Sequence, residues 1–444
     1  MANKKVICYI QYALKLGIKS PLCVSGGTAE MTDCDVQKDF DGNPFIPGTS
    51  LAGALRGYLE ECKGKKRADE INKVFGYSDD SESFMSRIKI SDLYFTDKDA
   101  GAKVITRDGI KLERKLTVKG AKFDMEAIDT GAVCKCYLLL TVREGDDQSL
   151  SEAIVEQALA GLMWGEIRLG ANKNRGFGEL SVLTAKKKTF SQHNMKEWLD
   201  FDREVFLNEN GNELQLKKPD ESRYLTIRVP LKQKGGISIR RYSVIPGEPD
   251  YEHIRANGCP VIPGSSFNGA IRTRVAELLA KLKIDPEKIN EWFGYVKNEK
   301  RTENGEAVDR QSSNIVISES VIEGGVDISM TRTKINRYDA SVVSGALYSE
   351  KSHFDGSLVL EIEVRKNCYT GRNKLQTEDT SQYEPIVGML LIVAKDIQNG
   401  YLAVGGQTAV GRGIFEAAGP IELLGTDKNE QHFIKAVGAL CKGE

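Results

Sequence analysis

Residues 44–56 read PFIPGTSLAGALR and residues 260–272 read PVIPGSSFNGAIR, so one segment occurs twice at a constant shift of 216. Identity falls on positions with backbone or charge roles: both prolines, both glycines, the second hydroxyl residue and the final arginine. Most of the apolar positions, in contrast, differ between the copies. This selective identity indicates a duplicated module rather than a chance match.

Further landmarks recur in the same order, and their shift grows along the chain, as insertions into the second copy would produce. The period is far too long for a solenoid of small repeats. We therefore predict two domains at 1–188 and 222–423, a linker with a short helix at 189–221 and a tail at 424–444. The matched pairs are Phe75-Gly76-Tyr77 with Phe293-Gly294-Tyr295, Phe123-Asp124 with Phe354-Asp355, and Arg175-Gly176 with Arg412-Gly413.

Composition is that of a globular protein, with 40% hydrophobic and 28% charged residues. Neither a spanning apolar run nor a signal-peptide pattern is found, so we expect a cytoplasmic protein with no membrane partner. The nine cysteines are scattered, which argues against a disulfide framework, and Cys134 and Cys136 are predicted to lie in the core. Because the net charge is only −1, any site for a polyanion must be built locally.

Each copy contains the pattern strand, helix, strands, helix and strand. The first copy shows it between Val6 and Leu180, and the second between Tyr224 and Phe415. This order predicts the α+β class, with two tandem ferredoxin-like (RRM-like) domains whose helices cover one face of an antiparallel sheet.

The Pro-Gly segment of each copy precedes a predicted helix that Thr49 or Ser50, and in the second copy Ser266, can cap. A helix start of this kind can seat a phosphate, although a plain capped turn is the alternative. Glycine-rich loops at 169–180 and 405–415 stand before strands, so they do not fit a dinucleotide site. They allow a ligand to approach the backbone closely, with charge supplied by Lys173, Arg175 and Arg412.

These two motifs, in this order and both repeated, resemble the RAMP superfamily, and more narrowly the backbone subunits of type III CRISPR interference complexes, with a tandem arrangement similar to III-D-like systems. The resemblance implies RNA-guided antiviral defence, with guide RNA, target RNA and other effector subunits as partners. It also implies a β-hairpin thumb in each copy, at about Asp97–Gly120 and Ile328–Ser352. The residues it suggests for RNA binding are Ser50, Arg56, Lys173, Arg175, Ser266, Arg272, Arg337 and Arg412.

The resemblance further implies cleavage of target RNA by an aspartate in the spacing Asp-x-x-Val-x-x-Asp, which Asp33–Asp39 reproduces. Asp33 is then the catalytic residue, acting on a ribose 2′-OH or holding a divalent metal such as Mg²⁺ or Mn²⁺. The alternative is a solvated acidic loop. In the second copy, gapless alignment places Pro249 opposite Asp33, and Asp250 can serve only after a shift of one residue.

Three other functions stay open. The chain can be a non-catalytic scaffold that binds and spaces guide RNA. It can be a guide-processing ribonuclease, for which His253, close to the second loop, is the candidate proton-transfer group. A small-molecule enzyme on tandem ferredoxin-like domains would need a closed apolar pocket, to which nothing in the sequence points.

Overall fold

The computed structural model describes residues 4–27, 32–63, 68–78, 82–95, 102–113, 116–242, 247–297, 309–370, 374–375 and 382–442. The chain divides into two compact units. The first comprises Met1–Lys173 and Phe177–Ser222, and the second comprises Asn174–Gly176 and Arg223–Glu444.

The first unit contains ten strands and five α-helices among its described residues. They are β1 (Val6–Ile18), β2 (Phe45–Ile46), α1 (Gly48–Lys63), α2 (Ala68–Phe75), β3 (Tyr77–Ser78), β4 (Ser83–Phe84), β5 (Ile88–Ile90), β6 (Leu93–Phe95), β7 (Val104–Glu113), β8 (Leu116–Ile128), β9 (Val133–Arg143), α3 (Gln148–Met163), β10 (Leu180–Ser191), α4 (Met195–Leu199) and α5 (Arg203–Asn208).

The second unit repeats this plan with more short strands in its described part. Its elements are β11 (Tyr224–Gln233), β12 (Gly236–Ile237), β13 (Arg240–Tyr242), β14 (Tyr251–His253), β15 (Arg255–Ala256), β16 (Cys259–Ile262), α6 (Gly264–Leu282), α7 (Lys288–Phe293), β17 (Tyr295–Lys297), β18 (Asp309–Gln311), β19 (Ile315–Ile317), β20 (Ser320–Val321), β21 (Val326–Ile335), β22 (Val342–Phe354), β23 (Ser357–Arg365), β24 (Tyr369–Thr370), β25 (Lys374–Leu375), α8 (Glu384–Gln398), β26 (Phe415–Ala417), β27 (Glu422–Leu424) and α9 (Glu430–Lys442).

The central sheets share one topology. In the first unit the order is β10, β1, β9 and β5, and in the second it is β26, β11, β23 and β19, with every neighbouring pair antiparallel. Counted along the chain, both orders are fourth, first, third and second strand. This is the ferredoxin-like arrangement, so the predicted fold class is confirmed in both units.

Each sheet buries one face under two long helices. Leu51, Leu55 and Leu59 of α1 are all buried, as their spacing on one helix face predicts. Phe267 and Ile271 of α6 are buried in the same way in the second unit. The hydrophobic cores therefore lie between helices and sheet, and leave the loops at the strand ends to carry polar groups.

A long antiparallel hairpin projects from each unit where the thumbs are predicted. The first hairpin is β7 with β8, and the second is β21 with β22. Of the first predicted range, residues 97–101 and 114–115 lie outside the described residues. The second hairpin turns between Ile335 and Val342, and it includes the predicted thumb sequence.

The segment predicted to be a linker is instead packed into the first unit. Trp198 stacks on Tyr9 with ring centroids 4.9 Å apart, and Phe201 lies 4.8 Å from Phe190. The single helix predicted here is two short helices, because Asp202 accepts hydrogen bonds from the next backbone N–H groups and begins α5 anew. Packing of these aromatic rings, together with the buried Phe206 and Leu207 of α5, explains why the segment is not a free tether.

The C-terminal residues also belong to a folded unit. Phe433 and Val437 of α9 are buried against α8 in the core of the second unit. Cys134 and Cys136 are fully buried, as predicted, and burial raises the pKa of the Cys134 thiol to about 12. No helix of the part that the structure describes is long and apolar enough to cross a membrane.

Candidate nucleic-acid interface

Asp33 is bonded to the first hairpin through a reciprocal pair of hydrogen bonds. Its backbone N–H donates to the Asp124 carboxylate at 3.1 Å, and the Asp124 N–H donates to Asp33 Oδ2 at 3.0 Å. Asp33 is exposed, and within the described residues its Oδ1 accepts no hydrogen bond. The loop is thus held on β8 while one carboxylate oxygen faces outward.

The other acidic residues of this loop have a structural role. Asp35 accepts hydrogen bonds from the backbone N–H and the hydroxyl of Thr32, at 2.8 and 2.7 Å. Asp39 accepts from the N–H groups of Asp41 and Asn43, which closes a turn. Asp35 and Asp39 therefore stabilise the loop, whereas Asp33 remains exposed.

The second unit repeats the reciprocal bonds at Asp250. Its N–H donates to Ser349 Oγ at 3.1 Å, and the Ser349 N–H and Oγ donate to Asp250 Oδ2 at 2.6 and 3.2 Å. Asp250 thus takes the position of Asp33, after the one-residue shift that the gapless alignment missed. Ser349 takes the position of Asp124, so the sequence match of Asp124 with Asp355 is out of register.

The two aspartate sites differ in their capacity for a metal ion. Asp33 and Asp124 bring two carboxylates together, whereas Asp250 is paired with a hydroxyl. No group of three or more His, Cys, Asp or Glu side chains suited to a metal occurs among the described residues. Mg²⁺ is commonly bound by one or two carboxylates, and water and phosphate oxygens complete its coordination shell. The first site, with two carboxylates, fits this pattern better than the second site, with one.

The starts of α1 and α6 are packed against protein backbone. A Cβ at Gly48 would lie 2.6 Å from the Ile90 carbonyl oxygen, and one at Gly264 would lie 2.0 Å from that of Ile317. The Gly48 N–H donates to Asp92 Oδ1 at 2.8 Å. This carboxylate already occupies the first helix start, where a Thr49 or Ser50 cap or a phosphate was expected.

The two motif arginines join the two repeated motifs. Arg56 donates to the Gly76 carbonyl oxygen at 2.9 Å and to Asn72 Oδ1 at 2.8 Å. Arg272 donates in the same way to Gly294 at 3.4 Å and to Asn290 at 3.0 Å. No local pattern in the sequence indicates this structural role, and RNA contact by these arginines stays a prediction.

The glycine loops align differently in space than in sequence. The Gly178 carbonyl accepts from the Leu169 N–H, and the Gly413 carbonyl accepts from the Val404 N–H, at 2.8 and 2.9 Å. Both glycines have positive φ, of 84° and 70°. Gly178 therefore corresponds to Gly413, and Arg412 takes the position of Phe177 rather than that of Arg175. The sequence comparison paired Arg175-Gly176 with Arg412-Gly413, which is two residues away from the pairing in space. The error arose because the dipeptide Arg-Gly occurs at different positions in the two loops.

The predicted RNA-binding cations differ in exposure. Arg337 lies exposed at the turn of the second hairpin and makes no ion pair within the described part of the chain. Lys173 and Arg175 are exposed on the first glycine loop. Arg412 is half-buried, with its guanidinium 4.6 Å from the centroid of the Phe354 ring. Ser50 and Ser266 are half-buried in the first turns of their helices.

A buried polar group at the base of the second hairpin was not foreseen. Glu350 is fully buried and accepts from the Tyr251 hydroxyl at 3.1 Å and from Gln407 Nε2 at 2.6 Å. The position equivalent to Glu350 in the first unit is Met125, which directly follows Asp124 just as Glu350 directly follows Ser349. Sequence gives no signal here, because alternation along a strand does not show which polar residues a neighbouring loop covers.

His253 lies in the same region and is also buried. Its Nδ1 accepts from the Ile239 N–H at 3.2 Å. Burial, together with the nearby His353 ring, lowers the pKa of His253 to about 4. A neutral, enclosed imidazole is a poor proton-transfer group for a large RNA, which argues against the guide-processing alternative.

Comparison with known proteins agrees with the fold. The family model described as the RAMP superfamily matches residues 15–181 and 205–416, once in each half of the chain. The chain belongs to the RAMP superfamily. This RAMP protein is also similar to the "CRISPR system Cms endoribonuclease Csm3" of Methanocaldococcus jannaschii, with 27% identity over 219 residues. The match covers 43% of this chain and 86% of that relative.

Proposed function

We propose that this RAMP protein is a backbone subunit of a type III, III-D-like CRISPR effector complex. In this role it binds guide RNA, holds the guide–target duplex in the cytoplasm together with other effector subunits, and cleaves target RNA at Asp33 and Asp250. The observation that carries the proposal is the reciprocal bonding of an exposed aspartate to the hairpin base, found in both units. The similarity to an endoribonuclease of a CRISPR system supports it.

The geometry suits cleavage by the target's own ribose. In each unit one carboxylate oxygen is held by backbone N–H donation, and the other is left outward. The outward oxygen of Asp33 or Asp250 can accept the proton of a ribose 2′-OH, so that this oxygen attacks the adjacent phosphorus and the 5′-oxygen of the next nucleotide leaves. An anchored carboxylate needs little reorganisation for this step, which favours a rapid reaction.

A divalent ion, Mg²⁺ or Mn²⁺, fits the first site best. Asp33 and Asp124 would hold it, and it would supply charge neutralisation at the phosphate. Asp250 offers a single carboxylate beside Ser349, so the second site depends more on RNA oxygens for any metal it binds.

RNA binding is assigned to the exposed cations first. Lys173, Arg175 and Arg337 are exposed, and in this proposal they bind phosphates, whose contacts provide affinity without reading sequence. Arg56, Arg272 and Arg412 are partly engaged by the protein, and they bind RNA through the N–H groups that remain. Ser50 and Ser266 add hydroxyl donors at the helix starts.

Cleavage mapping tests the proposal. The full chain is assembled with guide RNA and a complementary target labelled at either end, and the products of wild type, Asp33→Ala and Asp250→Ala are compared. We expect each variant to lose one set of cuts and retain the other, with guide binding unchanged. Asp41→Ala and Glu248→Ala, which remove exposed carboxylates near each site, are the matched controls. Retention of all cuts by the double variant would refute the assignment of cleavage to these two aspartates, whereas a wild type that binds guide and target without any cut would show a non-catalytic scaffold.

A further inference from the structure

Two thiols lie in contact beside the first candidate site. The Sγ atoms of Cys23 and Cys34 are 3.4 Å apart, and one thiol donates a hydrogen bond to the other. A disulfide has an S–S length of about 2.0 Å, so a modest movement of one side chain joins them. Cys34 directly follows Asp33 in the chain.

The surroundings give the two thiols different access to solvent. Cys23 is fully buried in a small apolar cluster with Met125, Ala127 and Phe177. Burial, and then the hydrogen bond with Cys34, raise the pKa of the Cys23 thiol to about 12. Cys34 is only half-buried, on the loop that carries Asp33. A small oxidant in solvent therefore reaches Cys34 first.

We propose that Cys23 and Cys34 are an oxidation site, which a hydroperoxide converts to a reversible disulfide. The hydroperoxide transfers an oxygen to the Cys34 sulfur, which gives a sulfenic acid and an alcohol or water. The Cys23 sulfur then attacks the Cys34 sulfur, the S–S bond forms, and the sulfenic oxygen leaves as water with the Cys23 proton. Two electrons pass from the thiols to the hydroperoxide, and a dithiol reductant returns them.

The disulfide alters the loop at the first aspartate. Closing the gap draws Cys34 towards the buried Cys23, while the Cys34 carbonyl accepts a hydrogen bond from the Glu126 N–H at 2.9 Å. The neighbouring Asp33 is bonded to the same strand through Asp124. Resting on the proposed function, the inference is that oxidation displaces Asp33 and slows the first set of cuts. A displacement of about 1 Å can cost a hundredfold in rate.

The second unit is an internal control, because it lacks the pair. The backbone carbonyl of Cys23 accepts a hydrogen bond from the Ala171 N–H at 2.8 Å, and the backbone carbonyl of Ser238 accepts one from the Gly406 N–H at the same distance. Ser238 therefore takes the place of Cys23 in the second unit. Tyr251 follows Asp250 as Cys34 follows Asp33. A disulfide at this position is therefore specific to the first unit.

Peptide mapping tests the disulfide without reference to any activity. The full chain is treated with hydrogen peroxide, remaining thiols are alkylated, and the digest is analysed by mass spectrometry with and without dithiothreitol. We expect a reducible peptide pair joining Cys23 to Cys34, absent from Cys34→Ser and retained in Cys259→Ser, which removes an exposed thiol. A Cys34 that stays a thiol, or that is oxidised only to sulfinic acid, would overturn the proposal.

Cleavage mapping then tests the effect on Asp33. With the oxidised protein, we expect the first set of cuts to slow by roughly 10- to 100-fold and to recover with dithiothreitol. The second set stays unchanged, and Cys34→Ser is insensitive to peroxide. A disulfide with unaltered first cuts would refute the control of Asp33, whereas a protein that makes no cuts but forms the disulfide would refute only the nuclease proposal.

Discussion

Arg56 donates a hydrogen bond from Nη1 to the carbonyl oxygen of Gly76 at 2.9 Å. The same bond joins Arg272 to Gly294 in the second unit. The Ile-Pro-Gly helix and the Phe-Gly-Tyr turn therefore recur together because the guanidinium of one segment satisfies the carbonyl of the other. Three of the five N–H donors of Arg56 are used by protein acceptors.

We expect Arg56→Ala to destabilise the first unit by about 2 kcal/mol, because a charged donor is removed from partly buried acceptors. Urea unfolding followed by a probe in the first unit measures the loss. Lys89→Ala, at an exposed position of β5, should leave the midpoint unchanged. If phosphate contact were the main role of Arg56, its removal would instead lower the salt dependence of guide-RNA binding with stability intact, as we expect for Arg337→Ala.

Exchange of the aspartate partners tests the metal assignment. Asp124→Ser gives the first unit the pairing of the second, since Ser349 shows that a serine can hold the loop. Because one carboxylate is lost, we expect the Mg²⁺ concentration that half-saturates the first set of cuts to rise about tenfold. The second set of cuts in the same reaction is the control, and Ser349→Asp should lower the Mg²⁺ requirement there. An unchanged requirement in Asp124→Ser would show that Asp124 only positions the loop.

His253 makes stability depend on pH. Burial and the neighbouring His353 lower the pKa of His253 from 6.5 to about 4, so the unfolded chain binds the proton first as pH falls. The free energy of unfolding of the second unit should therefore decrease as the pH falls from about 6.5 to about 4, and His253 should account for on the order of 3 kcal/mol of this decrease. Below about pH 4, His253 should cause no further change.

His253→Asn keeps an acceptor for the Ile239 N–H but does not titrate in this range. We expect the variant to show a flatter dependence of the unfolding free energy on pH between 6.5 and 4. His193→Asn, at an exposed position, should keep the wild-type slope. Parallel slopes for wild type and His253→Asn would show that His253 is not the group responsible.

The sequence located the first candidate site better than the second. The segment from Asp33 to Asp39 could be recognised in the sequence because its contacts are local. Asp35 accepts a hydrogen bond from Thr32, and Asp39 accepts hydrogen bonds from Asp41 and Asn43. In the second copy, a gapless alignment pairs Pro249 with Asp33 and is therefore one residue out of register at Asp250. Only the bonds to Ser349, 99 residues away in the chain, reveal the equivalence.

By itself, the sequence determined the duplication, the ferredoxin-like fold and the family, because prolines, glycines and apolar periodicity act over a few residues. The tertiary structure alone decided that Asp124 and Ser349 hold the two aspartates, that Arg412 takes the place of Phe177, that Arg56 and Arg272 join motifs, and that Cys23 meets Cys34. These relationships join residues distant in sequence. They depend on which loop covers which strand, and no local pattern encodes that.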